Sequence, residues 1–232
     1  MLEKFFGKLP NIKEGEQDLI MLALTHPSFT KEHGELDSLE NYERLEFFGD
    51  SVLKLFTSKL LYESYPNYPE GKLSKIRSIL VSDLTLSKIA LKIGLDHLII
   101  LGPAEEKQGG RKRESNLACS LEALLGAYYL SGKQKSVEKF ILKYVLPFAS
   151  DIDEHFEKYN AKDVWQQYTQ GIDKTLPEYK TLSVKGPAHA PIFEVELIWH
   201  NEVIATCTGK TKKEAQQECA YEACKKFNLI QQ

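Results

Sequence analysis

The side chains with the most to offer chemistry sit together in Asn41-Tyr42-Glu43-Arg44-Leu45-Glu46-Phe47-Phe48-Gly49-Asp50-Ser51. On a helix, Glu43, Glu46 and Asp50 fall at i, i+3 and i+7, so three carboxylates share one face. Like charges at such spacings repel and weaken the helix unless something neutralises them. A hard divalent cation does so, and oxygen donors of this kind suit Mg²⁺ or Mn²⁺. On spacing alone two readings stand open, a metal-binding stripe and a solvated acidic face. Gly49 inside the same helix costs about 1 kcal/mol relative to alanine, which argues for a close backbone approach there.

A second group of residues is suited to a polyanion. Lys210, Lys212 and Lys213 cluster at the start of the last expected helix, beside the N-terminal end of its dipole. The loop Gly186-Pro187-Ala188-His189 offers a short polar tip, and Gln166, Gln167 and Gln170 offer hydrogen-bonding amides from an earlier helix. Each alone is as compatible with a solvated surface as with a ligand. The basic run Arg111-Lys112-Arg113 reads equally as a phosphate contact or as solvated charge. His26 and His33 read as structural or surface histidines, and no His–Cys spacing supports a zinc site.

These residues must be positioned by two regions of different periodicity. Up to about residue 148 the pattern is helical, with Leu45, Phe48, Val52, Leu55 and Phe56 at spacings of three and four in the strongest segment, residues 40–65. That segment stops at Tyr65-Pro66-Asn67-Tyr68-Pro69. Another periodic stretch runs from Leu73 to Ile93 with Gly94 as its cap, and further helices are expected at Ser115–Leu130 and Ser136–Val145. After the charged stretch Asp151–Lys158, taken as a linker helix or tether, the pattern becomes a short helix (Asp163–Gln170), alternating segments at 178–185, 192–199 and 202–208, and a closing helix from about Thr211 to Phe227. His200-Asn201 is placed as the tight turn between the second and third strands.

Composition narrows the classes further. A chain of 232 residues with 42% hydrophobic residues builds one or two real cores, and a net charge of −3 with 10% aromatics argues against disorder. No apolar run approaches the roughly 20 residues of a membrane span, and the charged start Met1-Leu2-Glu3-Lys4 does not resemble a secretory leader. Cys119, Cys207, Cys219 and Cys224 lack framework density and CxxC spacing, which points to reduced thiols and a cytoplasmic protein. A pI near 6.1 excludes a non-specific basic coat and leaves local patches to decide any affinity for nucleic acid.

Glu43-Arg44-Leu45-Glu46-Phe47-Phe48-Gly49-Asp50-Ser51 closely resembles the signature of the ribonuclease III family, usually ERLEFLGDS. Leu24-Thr25-His26-Pro27-Ser28 is similar to that family's early ALTHPS element, and Ser120-Leu121-Glu122-Ala123-Leu124-Leu125-Gly126-Ala127 to its second motif. The C-terminal region is similar to the double-stranded RNA-binding domain of bacterial members, so the resemblance covers nearly the whole chain. It implies an all-α endonuclease domain (1–148), a linker (149–160) and a small α+β domain of order α-β-β-β-α (161–229) that binds double-stranded RNA. It also implies a homodimer that uses Mg²⁺, with Mn²⁺ as a substitute, to cut RNA duplexes into 5′-phosphate products, processing ribosomal precursors and structured mRNA. The helix carrying Phe47 and Phe48 is expected at the dimer interface, because adjacent phenylalanines cannot both face one core.

Matched residue by residue, the resemblance implies metal ligation by Glu46, Asp50 and Glu122, with Asp50 and Glu122 at the positions called catalytic. Glu43 and Glu70 match auxiliary acidic positions. Gln166, Gln170, His189, Lys210, Lys212 and Lys213 are the expected RNA contacts. One position departs from the pattern, since Cys119 stands where the second motif has a metal-binding aspartate. A thiol suits Mg²⁺ poorly, and free cysteine is more often a small buried hydrophobe than a ligand. A catalytically weakened RNA-binding regulator is therefore the alternative expectation.

Overall fold

A computed structural model describes residue 4 and residues 19–32, 41–186 and 191–230. His33 and the loop tip with Pro187, Ala188 and His189 lie outside the described residues. The chain forms two compact units, Met1–Asp151 and Ile152–Gln232.

In the first unit, α1 (Leu19–Leu24) and α2 (Pro27–Glu32) meet at Thr25-His26, where Pro27 prevents a continuous helix. Next come α3 (Glu43–Ser64), α4 (Glu70–Leu80), α5 (Asp83–Lys92), the short α6 (Pro103–Lys107), α7 (Glu114–Leu130) and α8 (Gln134–Phe140), which continues into a π turn at Ile141–Val145. Helix α7 is apolar on nearly every side. Leu117, Leu121, Leu124 and Leu125 are fully buried, as expected of a helix surrounded by others. Removing one such leucine to alanine costs about 2–5 kcal/mol, so α7 anchors the unit and fixes whatever its face presents.

The segment expected as one helix over Leu73–Ile93 is two. Ser82, in an extended conformation, caps α5 by accepting from the Thr85 amide, while its hydroxyl and that of Thr85 both donate to the Ile79 carbonyl. A serine cap satisfies orphan amides that helical continuation would have paired, and the apolar period runs across the break without marking it. Gly94 is left-handed (φ 77°), as its cap role requires. A single parallel bridge, Thr25 to Ile100, is the strand character found among the described residues of this unit.

The motif Thr25-His26-Pro27-Ser28 ties distant segments together. The Ser28 amide donates to His26 Nδ1 at 3.0 Å and the Ser28 hydroxyl lies 2.8 Å from the same nitrogen. That hydroxyl accepts from the Gly102 amide at 2.9 Å, and the His26 amide donates to the Ile100 carbonyl. Burial holds the His26 pKa below its usual value, so the ring is a neutral acceptor.

Of the two readings of the charged stretch the linker helix holds: α9 spans Phe148–Glu154, and α10 spans Phe156–Asp173, well beyond the expected Asp163–Gln170. Ala161, Trp165 and Thr169 are buried at intervals of four, so one narrow stripe holds an otherwise polar helix. Strands β1 (Glu178–Lys185), β2 (Ile192–Trp199) and β3 (Glu202–Gly209) form an antiparallel sheet in that order. His200 and Asn201 both take positive φ (53° and 61°), the geometry that matches a two-residue hairpin to strand twist. Val195 and Leu197 are fully buried with Trp165, Ala215, Cys219 and Ala223, the last three on α11 (Lys212–Lys226). The fold is thus an all-α domain followed by an α-β-β-β-α domain.

Candidate active site

The first site is built on a contact between two glycines. Gly49 of α3 faces Glu122 and Gly126 of α7 so closely that a β-carbon on it would stand 1.8 Å from the Glu122 carbonyl oxygen. A β-carbon on Gly126 would stand 2.7 Å from the Leu45 carbonyl oxygen. The two backbones touch, as the helix-interior glycine implied. Asp50 and Glu46 on α3 are therefore held against Glu122 on α7.

These side chains open into a pocket of about 600 Å³ lined by Glu43, Glu46, Asp50, Asp83 and Glu122, with Lys54 beside them. Phe47, 80% exposed, and Val81 form part of the rim, whereas Phe48 turns inward against the Tyr129 ring at 5.6 Å. Asp50 pairs with Lys54 at 2.8 Å. Burial, with the negative charges of Asp50, Glu46 and Asp83, pushes the Glu122 carboxyl up to about 8. Burial also raises Glu46, helped by the charges of Glu43, Asp83 and Asp50. Five carboxylates against one lysine leave this pocket short of positive charge. Among the described residues no three Asp, Glu, His or Cys side chains already stand close enough to enclose a metal ion. The donor set fits a hard divalent cation in chemistry and in charge, and the Lys54 pair engages one Asp50 oxygen, Oδ2.

Cys119 lies one helical turn before Glu122, half-buried, with its thiol in hydrogen-bonding reach of the Glu46 carboxylate. Burial and the charge of Glu46 hold the thiol protonated, well above the usual range. Tyr42, itself buried, is also in hydrogen-bonding reach of the thiol. Glu70 is elsewhere. It begins α4, accepts from the Ser74 hydroxyl at 2.6 Å, and does not line the pocket. Asp83 and Lys54 escaped the sequence reading. The helix break that brings Asp83 in is signalled only by Ser82-Asp83, a cap followed by a first-turn acid. The two arginines of the Arg111–Arg113 run are engaged within the domain. Arg111 donates to the Asp96 and Ile99 carbonyls and pairs with Glu106, and Arg113 pairs with Glu105.

In the second unit Lys210, Lys212 and Lys213 are exposed around the start of α11. Thr211 accepts from the Glu214 amide at 3.0 Å and Glu214 reaches back to the Lys210 amide at 2.8 Å, a reciprocal cap that stiffens this end. Cations beside a helix N-terminus oppose its dipole, so the cluster is a cost to the isolated domain that a bound anion relieves. Gln166, Gln167 and Gln170 are exposed along one side of α10. His189, the remaining expected contact, lies outside the described residues. Gln216 accepts from Lys162 at 2.9 Å, which ties α10 to α11.

Comparison with known proteins agrees with both units. Residues 16–148 match the family model described as ribonuclease-III-like, and residues 161–227 match the double-stranded RNA binding motif. A protein named ribonuclease 3 from Staphylococcus haemolyticus is 40% identical over 210 residues, covering 90% of this chain and 85% of that protein. One of the same name from Treponema denticola is 38% identical, covering 93% and 87%. A solved nuclease domain of ribonuclease III from Campylobacter jejuni, whose dimer-forming region is described as flexible, superposes with a TM-score of 0.54 at 33% identity. It covers 63% of this chain and 94% of that one.

Proposed function

Because this chain belongs to the ribonuclease III family and is an endoribonuclease with a double-stranded RNA-binding domain, we propose that its acidic pocket is the hydrolytic centre and that it works with Mg²⁺ or Mn²⁺. The observation that carries the reading is the glycine contact that seats Glu46 and Asp50 against Glu122 in an open pocket short of positive charge. Bound divalent cations supply a hydroxide-like nucleophile at neutral pH and stabilise charge on the leaving oxygen. Glu46, Asp50 and Glu122 would hold the metal, Glu43 lines the pocket as an auxiliary acid, and Lys54 stands beside them paired with Asp50. The exposed lysines of α11 and glutamines of α10 hold the duplex by its phosphates and minor groove, largely by shape.

Two such pockets, one per protomer of a homodimer, cut the two strands and leave 5′-phosphate ends. Exposed Phe47, at the rim of the pocket, belongs to the surface that the second protomer covers. The RNAs so processed are ribosomal precursors and structured mRNA in the cytoplasm. No helix among the described residues is long and apolar enough to cross a membrane. The alternative, an RNA-binding regulator with a decayed centre, draws on Cys119 and is countered by Glu46, Asp50 and Glu122 facing one pocket. Metal-stripped protein given a long RNA duplex should cut only after Mg²⁺ or Mn²⁺ is returned, with products that ligate through a 5′-phosphate. Duplex binding without cutting under either metal would favour the regulator.

A further inference from the structure

We propose that Asp83 is a positioning carboxylate of the acidic pocket, supplying from the start of α5 the negative charge that Cys119 does not supply from α7; the inference rests on the metal-dependent reading of that pocket. Position 119 lies on the face of α7 that carries Glu122, and its thiol is held toward Glu46. A thiol offers a hard divalent cation neither an oxygen donor nor the charge of a carboxylate. Across the pocket, the break at Val81-Ser82 ends α4 and restarts the chain as α5, with Asp83 its first residue. Had the helix run unbroken through Leu73–Ile93, Asp83 would sit in mid-helix with no reason to meet α3 and α7.

Asp83 is exposed and lines the same pocket as Glu43, Glu46, Asp50 and Glu122. It reaches that lining from α5, whereas Glu43, Glu46 and Asp50 come from α3 and Glu122 from α7. Lys54, the cation lining this pocket, is engaged by Asp50 and does not neutralise Asp83. An acid at a helix start also favours the helix dipole. That role needs a negative charge at the first turn and nothing from the pocket, so it predicts a change in metal-free stability and none in metal affinity.

The test titrates the full chain, without RNA, with Mn²⁺ by calorimetry, and measures the metal-free melting temperature of each protein. The proteins are wild type, Asp83→Asn, Asp83→Glu, Cys119→Asp and the Cys119→Asp/Asp83→Asn double variant. Asp83→Asn should weaken Mn²⁺ binding on the order of tenfold, as expected for loss of a carboxylate supporting a metal site, and Asp83→Glu should restore most of it. In the Cys119→Asp background the same change should cost clearly less, because the carboxylate at position 119 then supplies the charge. Unchanged Mn²⁺ affinity in Asp83→Asn, with or without a lower melting temperature, would overturn the proposal. An equal loss in both backgrounds would overturn it too. Failure of wild type to bind Mn²⁺ would overturn the metal-dependent reading along with it, whereas wild-type binding indifferent to Asp83 overturns this inference alone.

Discussion

Cys119 is where one side chain most affects the chemistry. Its neighbours are two carboxylates and a buried tyrosine, and its thiol stays protonated among them. A neutral sulfur offers Mg²⁺ little. Cys119→Asp should therefore lower the Mg²⁺ concentration needed for half-maximal cleavage, and Cys119→Ala should change it little. A metal titration of the cleavage rate separates this from a working thiolate, which would make Cys119→Ala inactive and leave Cys119→Asp without gain. The departure was legible in the sequence as a thiol in place of a hard ligand. Its contact with Glu46 was not, because that carboxylate arrives from another helix.

At the scale of elements, the crossing of α3 and α7 sets the site. Gly49→Ala places a methyl group on the Glu122 carbonyl, and the helices must part. The expected loss of stability is about 1–3 kcal/mol in urea unfolding, together with slower cleavage. Gly71→Ala meets nothing within 4 Å and should be neutral or slightly stabilising. The Gly49 approach could be read from a glycine inside a strong helical period. The break before α5 could not, since Leu80, Leu84 and Leu86 continue the apolar rhythm through it, and Asp83 was missed with it.

His26 provides a second test among elements. Its folded pKa is depressed, so below the unfolded value of about 6.5 the unfolded chain binds more protons than the folded one. Stability present above that value is lost as pH falls through the folded pKa. Protonation also removes the acceptor used by Ser28. Melting temperature should fall between about pH 7 and pH 5 more steeply in wild type than in His26→Gln. Equal slopes would show that the ring takes no part.

Over the whole molecule, cutting and holding are assigned to different units. The three strands and their hairpin turn were legible from alternation and from His200-Asn201. The length of α10 was not, because only Ala161, Trp165 and Thr169 mark its buried stripe amid polar residues. Lys212→Ala with Lys213→Ala should weaken duplex binding and reduce the slope of log affinity against log salt by roughly one to two, as fewer counterions are released. An unchanged slope would remove these lysines from the interface.

The division itself is tested most directly by Glu122→Gln, which keeps the size of a pocket-lining side chain and removes its charge. With duplex RNA and Mg²⁺ supplied, cleavage rate and binding affinity are measured on the same protein. Loss of cleavage by at least about a hundredfold, roughly 2.7 kcal/mol of transition-state stabilisation, with affinity for the duplex nearly unchanged, is the predicted result. Cleavage at the wild-type rate would contradict the account, because the pocket between α3 and α7 would then not be where the strand is cut.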